Sequence, residues 1–134
     1  MIGFDLDADV YRRAITVRRI DERSVRCELH DDFHHFVVVV EHDTSQVVAT
    51  RSESHRWPWA TCPAAGDELA ALVGMPLTDR FTAASRWADA HRNCTHQFDA
   101  AAHAITHAFH TLHATRPDVR RYDCEIGEIG RAHV

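Results

Sequence analysis

The 134-residue chain contains no lysine: all 15 of its basic side chains are arginine. That excludes Schiff-base catalysis on lysine, a phosphate-binding loop with its lysine, and the lysine-dependent serine β-lactamase arrangement. Long apolar runs are also missing. The run Phe36-Val37-Val38-Val39-Val40 has the length of a strand, and no run approaches the ~20 residues that cross a bilayer. The N-terminus, Met1-Ile2-Gly3-Phe4-Asp5-Leu6-Asp7, lacks both the basic and the apolar stretch of a secretory signal, so a cytoplasmic location is expected. Glycine (5) and proline (4) are sparse, and no segment is rich enough in them to separate two domains. None of Cys27, Cys62, Cys94 and Cys124 forms a CxxC pair, which rules out zinc-ribbon and thioredoxin readings. There is no HExxH, no catalytic triad pattern and no nucleotide loop.

Formal charge is weighted to the acidic side: 20 carboxylates against 15 arginines give -5. That argues against a nucleic-acid partner bound by phosphate neutralisation, and no membrane partner is expected. The chain is 45% hydrophobic, enough for one core, so residues 11–134 are expected to form a single domain behind a flexible acidic lead-in over residues 1–10.

Two periodicities follow one another. Ile15 and Val17, then Val25, Cys27 and Leu29, alternate with polar residues; Phe36 to Val40 is a continuous run suited to a strand buried on both faces; Gln46 to Ser52 follows a polar turn. Short connections make these an antiparallel meander of about four strands. Helical spacing then takes over. Cys62-Pro63 opens a segment with Leu69, Leu72 and Val73, which Gly74 and Pro76 stop. Thr78-Asp79 can cap a helix carrying Phe81, Ala84, Trp87 and Ala88. A third helix, from about Asn93 to about Ala114, aligns Phe98, Ile105, Phe109 and Leu112, and Val119 to Ile126 reads as a last short strand. The expected fold class is α+β: a four-stranded meander followed by three helices packed on one face.

Twelve histidines and two of the four cysteines carry the chemistry. Cys62 and Cys94 each stand near a helix N-terminus, where free N–H groups and the helix dipole favour the thiolate that serves as nucleophile or metal ligand. Two small buried hydrophobes would read the same way. Cys94 and His96 reach one ion only if the helix begins at Cys94, because within a helix they diverge by about 200°. His96, His103, His107 and His110 share a helical stripe with Asp99 beside it, expected to face solvent. Asp31, Asp32, His34, His35 and His42 border the valine run, and one of the aspartates offers a carboxylate ligand. Cys62, Cys94, Asp31 (or Asp32) and His96 are the expected metal set, for a zinc or iron ion. Trp57, Trp59 and His34 are the expected pocket walls.

The stretch from Cys62 through Leu72-Val73-Gly74 to Cys94-Thr95-His96, with Leu29-His30-Asp31 nearer the sheet, resembles an uncharacterised bacterial family whose signature reads Gly-Cys-Thr-His-Leu. Here Asn93 and Gln97 stand in place of the signature glycine and leucine. More distantly, the order of meander, cysteine and later helix-start cysteine over Asp31 to Phe98 resembles the U-type iron–sulfur scaffold proteins and the related sulfur-acceptor fold. That resemblance implies a scaffold-like fold and assigns Cys62 and Cys94 to two of the scaffold's three cysteine ligands; the third position falls near Asp31 or Asp32.

Three functions follow as expectations. The first is a metal-binding protein, with a hydrolase or lyase acting on a small molecule if one coordination position stays open. The second is a sulfur-transfer or iron–sulfur cluster-handling module serving a protein partner. The third is a metal-free domain that binds a ligand or another subunit, a homodimer among them.

Overall fold

A computed structural model of the protein describes residues 10–56, 66–88 and 95–127. The lead-in over residues 1–9, Trp57, Trp59, Cys62 and Cys94 lie outside these described residues.

Five antiparallel strands form one sheet in the order β4-β3-β2-β1-β5. They are β1 (Val10–Asp21), β2 (Ser24–Asp31), β3 (His35–His42), β4 (Val47–Arg56) and β5 (Val119–Gly127). A 3-10 helix spans Gly66–Leu72, and two α-helices follow, α1 (Ala83–Trp87) and α2 (Thr95–Leu112). The first four strands form the meander that their alternation predicts. Register places Val17 opposite Cys27 and Cys27 opposite Val38, so the apolar positions of three strands form one row facing α2. β3 is buried on both faces, with Val37 2% and Val39 6% exposed on the outer one. Glu28 and Glu53 flank Val37 across the strands, and Arg26 and Arg51 flank Val39. Long side chains of this kind cover apolar surface with their stems while their charges stay in water.

The expectation of four strands and three helices, similar to the iron–sulfur scaffold fold, is corrected on two counts. The C-terminal segment is a full fifth strand. It pairs with β1 along its whole length, Ile15 opposite Tyr122, which moves β1 from the sheet edge to its interior. The described residues contain only two α-helices, because Gly66–Leu72 is a 3-10 helix. With three residues per turn, Leu69 and Leu72 lie on the same side, and they are 1% and 0% exposed. An α-helix would also bury Val73, which is 44% exposed.

Gly74 explains why the turn stops there. It sits at φ 95°, a conformation that costs a residue with a Cβ roughly 1–2 kcal/mol. Its N–H donates to the Val47 carbonyl at 2.7 Å, and the Met75 N–H donates to the Leu72 carbonyl at 3.0 Å, so this glycine, which takes the conformation without strain, ties the 3-10 helix to the start of β4. A Cβ at Gly74 meets the Trp87 ring at an ordinary 3.6 Å, leaving backbone strain as the cost. Gly74→Ala is therefore expected to lower the unfolding free energy by about 1–2 kcal/mol, measured by urea denaturation.

Helix α2 packs across β1, β2 and β3. Its alanines, Ala100, Ala101, Ala102, Ala104 and Ala108, are all buried. Small side chains on several faces let the helix sink against the sheet, with Ile105 at 1% and Phe98 at 7% exposure. The expected apolar face frays toward its end: Leu112 is 38% exposed. Cys27 is a core cysteine, fully buried, and burial pushes its thiol pKa up. Cys124 is free and exposed on β5.

Candidate metal centre

The site begins with a turn. β2 ends at Asp31 and β3 starts at His35. Asp31 lies on the inner face of the sheet, 0% exposed. Its Oδ1 accepts the backbone N–H groups of Phe33 at 2.8 Å and His34 at 2.7 Å, while its own N–H donates to the His34 carbonyl at 2.8 Å. An aspartate that captures N–H groups two and three residues on fixes a tight connection without glycine. The same carboxylate holds the His34 ring, whose Nδ1 is 3.0 Å from Oδ1 and 3.1 Å from Oδ2. A carboxylate only accepts, so Nδ1 carries the proton of this contact.

Two further elements close on this turn. β1 contributes Arg13, the register partner of Asp31, with Nη2 3.6 Å from Oδ2. The first turn of α2 contributes His96. Its ring stacks on that of His34 with centroids 3.7 Å apart and 23° between planes. Burial first, then the neighbouring His34 and Arg13, lower the His96 pKa to about 4, against a smaller opposing pull from Asp31. His96 is thus a neutral imidazole near pH 7, the form that ligates a metal. One turn further along α2, burial raises the Asp99 carboxyl pKa, with Arg13 opposing.

Asp31, His34 and His96 each offer one ligand atom, and the three atoms lie within 4.8 Å of one another. Zinc bonds of about 2.0–2.1 Å at tetrahedral angles set donor atoms roughly 3.4 Å apart, and the three atoms stand within 4.8 Å of one another, near that spacing. Two imidazoles and a carboxylate form the donor set of mononuclear zinc sites and of non-haem iron sites with open positions. The residues therefore fit a divalent ion.

Of the expected ligands, the structure brings Asp31 and His96 together. It adds His34 to the set; the sequence places this residue as a pocket wall and, within the Asp31–His42 cluster, as a further source of ligands. Cys62, Cys94, Trp57 and Trp59 fall outside the described residues. The other histidines of the Asp31–His42 stretch go elsewhere. The His35 Nε2 is 2.6 Å from the Glu28 carboxylate on the outer face, with its ring stacked on His30. His42, at the far end of β3, accepts the Thr44 N–H at 3.0 Å. Arg13 had no sequence signal, because only strand register sets it opposite Asp31.

The helical histidine stripe corrects another expectation. Its spacing predicts a solvated face, yet His107 is 0% exposed, and its Nε2–H donates to the Asp118 carbonyl at 2.8 Å. His103 sits between Phe81 and Tyr122, with ring centroids 4.7 and 5.1 Å away. The sheet and the return into β5 bury the side of the helix that periodicity alone left open. Burial is the first cause that lowers the pKa of His103, to about 4, and that of His107. The unfolded chain binds protons on these groups from about pH 6.5 downward, and the folded chain does so only at lower pH. Stability is therefore full above about pH 6.5 and is lost as pH falls toward 4. Urea midpoints measured across that window are expected to drop with acid, and His103→Gln is expected to flatten the slope.

Comparison with known proteins adds a family. No curated protein and no solved structure matches the chain. Residues 6–110 match the profile described as "Protein of unknown function (DUF2889)". That match covers most of the sequence, from before β1 to near the end of α2, and includes all three candidate ligands, so the chain belongs to the DUF2889 family.

Proposed function

We propose that this protein is a small metal-binding protein in which Asp31, His34 and His96 hold one divalent ion, zinc or iron, for a hydrolytic or lyase reaction on a small molecule. The observation that carries this reading is the convergence of three ligand atoms within 4.8 Å from two different elements. Cys94, two residues before His96, and Cys62 are the proposed thiolate donors that complete or adjust the set.

Each residue has a distinct task. Asp31 contributes negative charge beside the His34 Nδ1, the nitrogen that would exchange its proton for the ion where both residues ligate it. His96 contributes a lone pair that burial keeps unprotonated. Arg13, beside the Asp31 carboxylate, offsets its charge and adds a guanidinium at the rim of the site. When bound, the ion supplies Lewis acidity and a water of lowered pKa.

Metal analysis of purified, untagged protein tests the reading. About one zinc or iron per chain is expected, lost in both His34→Ala and His96→Ala. Protein that stays metal-free after reconstitution with either ion, or variants that keep their metal, would overturn it. A visible charge-transfer colour that depends on Cys62 and Cys94 but not on His34 would assign the protein to sulfur or cluster handling instead.

A further inference from the structure

A second concave site lies at the opposite end of the sheet from Asp31, His34 and His96. The metal-site turn precedes β3, whereas Gln46 and Val47, just after β3, bind Pro76 and Met75. The eight residues of β3 at ~3.3 Å each set the two about 25 Å apart. There Met75, Pro76, Thr78, Ala83, Arg86 and Trp87 line a cavity of about 270 Å³. The floor is apolar and firm: Met75 is 2% exposed and belongs to the core. One wall is the Trp87 indole, 48% exposed. Arg86 projects from the last turn of α1, and among the described residues its guanidinium has no ion-pair or side-chain hydrogen-bond partner.

We propose that this cavity binds a small aromatic carboxylate, whose ring lies against Trp87 and Met75 and whose acid group pairs with Arg86. Three features select that class. The volume stands just below the roughly 300–1,000 Å³ of common ligand pockets, which suits one ring with a short acid arm and leaves no room for a nucleotide. The walls are apolar and aromatic apart from Arg86 and Thr78, so the ligand body is apolar. The polar group at hand is a planar cation that binds carboxylates through two parallel hydrogen bonds. The proposal is independent of the metal centre, since neither its residues nor its chemistry overlap with Asp31, His34 or His96.

Methionine supplies the reporter. The chain has two, Met1 and Met75, so protein labelled at the methionine methyl carbon gives two resonances, and Met75→Leu identifies the one in the cavity. Titration with benzoate is expected to shift the Met75 resonance saturably, with the weak affinity normal for a fragment. Benzyl alcohol, which keeps the ring without the charge, and acetate, which keeps the charge without the ring, are expected to bind at least tenfold more weakly. Arg86→Gln, a change at an exposed position, is expected to remove the preference for benzoate over benzyl alcohol while the spectrum stays folded. An unmoved Met75 resonance, equal binding of benzoate and either reduced probe, or an Arg86→Gln protein that still prefers benzoate would each overturn the proposal.

Discussion

Asp31→Ala is expected to lower the unfolding free energy by about 3–5 kcal/mol, the range for removing one partner of a buried charge pair. The side chain is 0% exposed, and its loss withdraws three acceptor contacts at once: to the N–H groups of Phe33 and His34 and to the His34 ring. It also leaves the Arg13 guanidinium without the carboxylate 3.6 Å away. A domain of this size holds roughly 5–15 kcal/mol in total, so the variant stands near the edge of folding. Asp31→Asn separates the two roles. Its amide oxygen still accepts the turn N–H groups, while the charge facing Arg13 is gone. Its cost is expected to be about half, near 2 kcal/mol, with the hairpin intact. Urea denaturation of both variants decides the matter: if Asp31→Ala unfolds within about 1 kcal/mol of the parent chain, the carboxylate is not the lock on this turn.

The second large effect is stabilisation by metal. An ion that binds only the folded chain adds RT ln(1 + [L]/Kd), about 4 kcal/mol at a thousandfold excess over Kd. In a domain of this length that raises Tm on the order of 10 °C. The shift is expected with zinc or ferrous iron, to be reversed by chelator, and to vanish in His34→Ala and His96→Ala. Because His34 and His96 are both partly exposed, these variants are expected to fold without metal, with Tm close to that of the chelated parent. A metal-induced shift of equal size in the variants would move the site away from these residues.

The β-strands were legible because their signal is local. Alternation in Val25-Arg26-Cys27-Glu28-Leu29 and the run Phe36 to Val40 mark which residues face inward whatever the partner. The order of the meander followed from short connections. Two features were not legible. Leu69, Leu72 and Val73 fit an α-helix equally well, and only the tie from Gly74 to Val47 tightened that segment to a 3-10 turn. The histidine stripe of α2 fits a solvated face, and only the return toward Asp118 and the ring of Phe81 covered it. Burial of a helix side depends on what the rest of the chain lays across it, and no periodicity encodes that.

The candidate site divides in the same way. The sequence by itself determined that lysine chemistry is excluded, that carboxylate and imidazole donors are plentiful, and that Asp31 stands in a turn with His34 three residues on. An aspartate can reach the N–H groups that follow it in any chain, so that half of the site is local. Tertiary structure alone decided that His96, from the start of a distant helix, stacks on His34, and that Arg13, from a neighbouring strand, faces Asp31. The first depends on how deeply an alanine-rich helix sinks onto the sheet, the second on a pairing register that a shift of one residue would turn to the other face. Both are set by packing of the whole core, which is why twelve histidines in the sequence became two at the site.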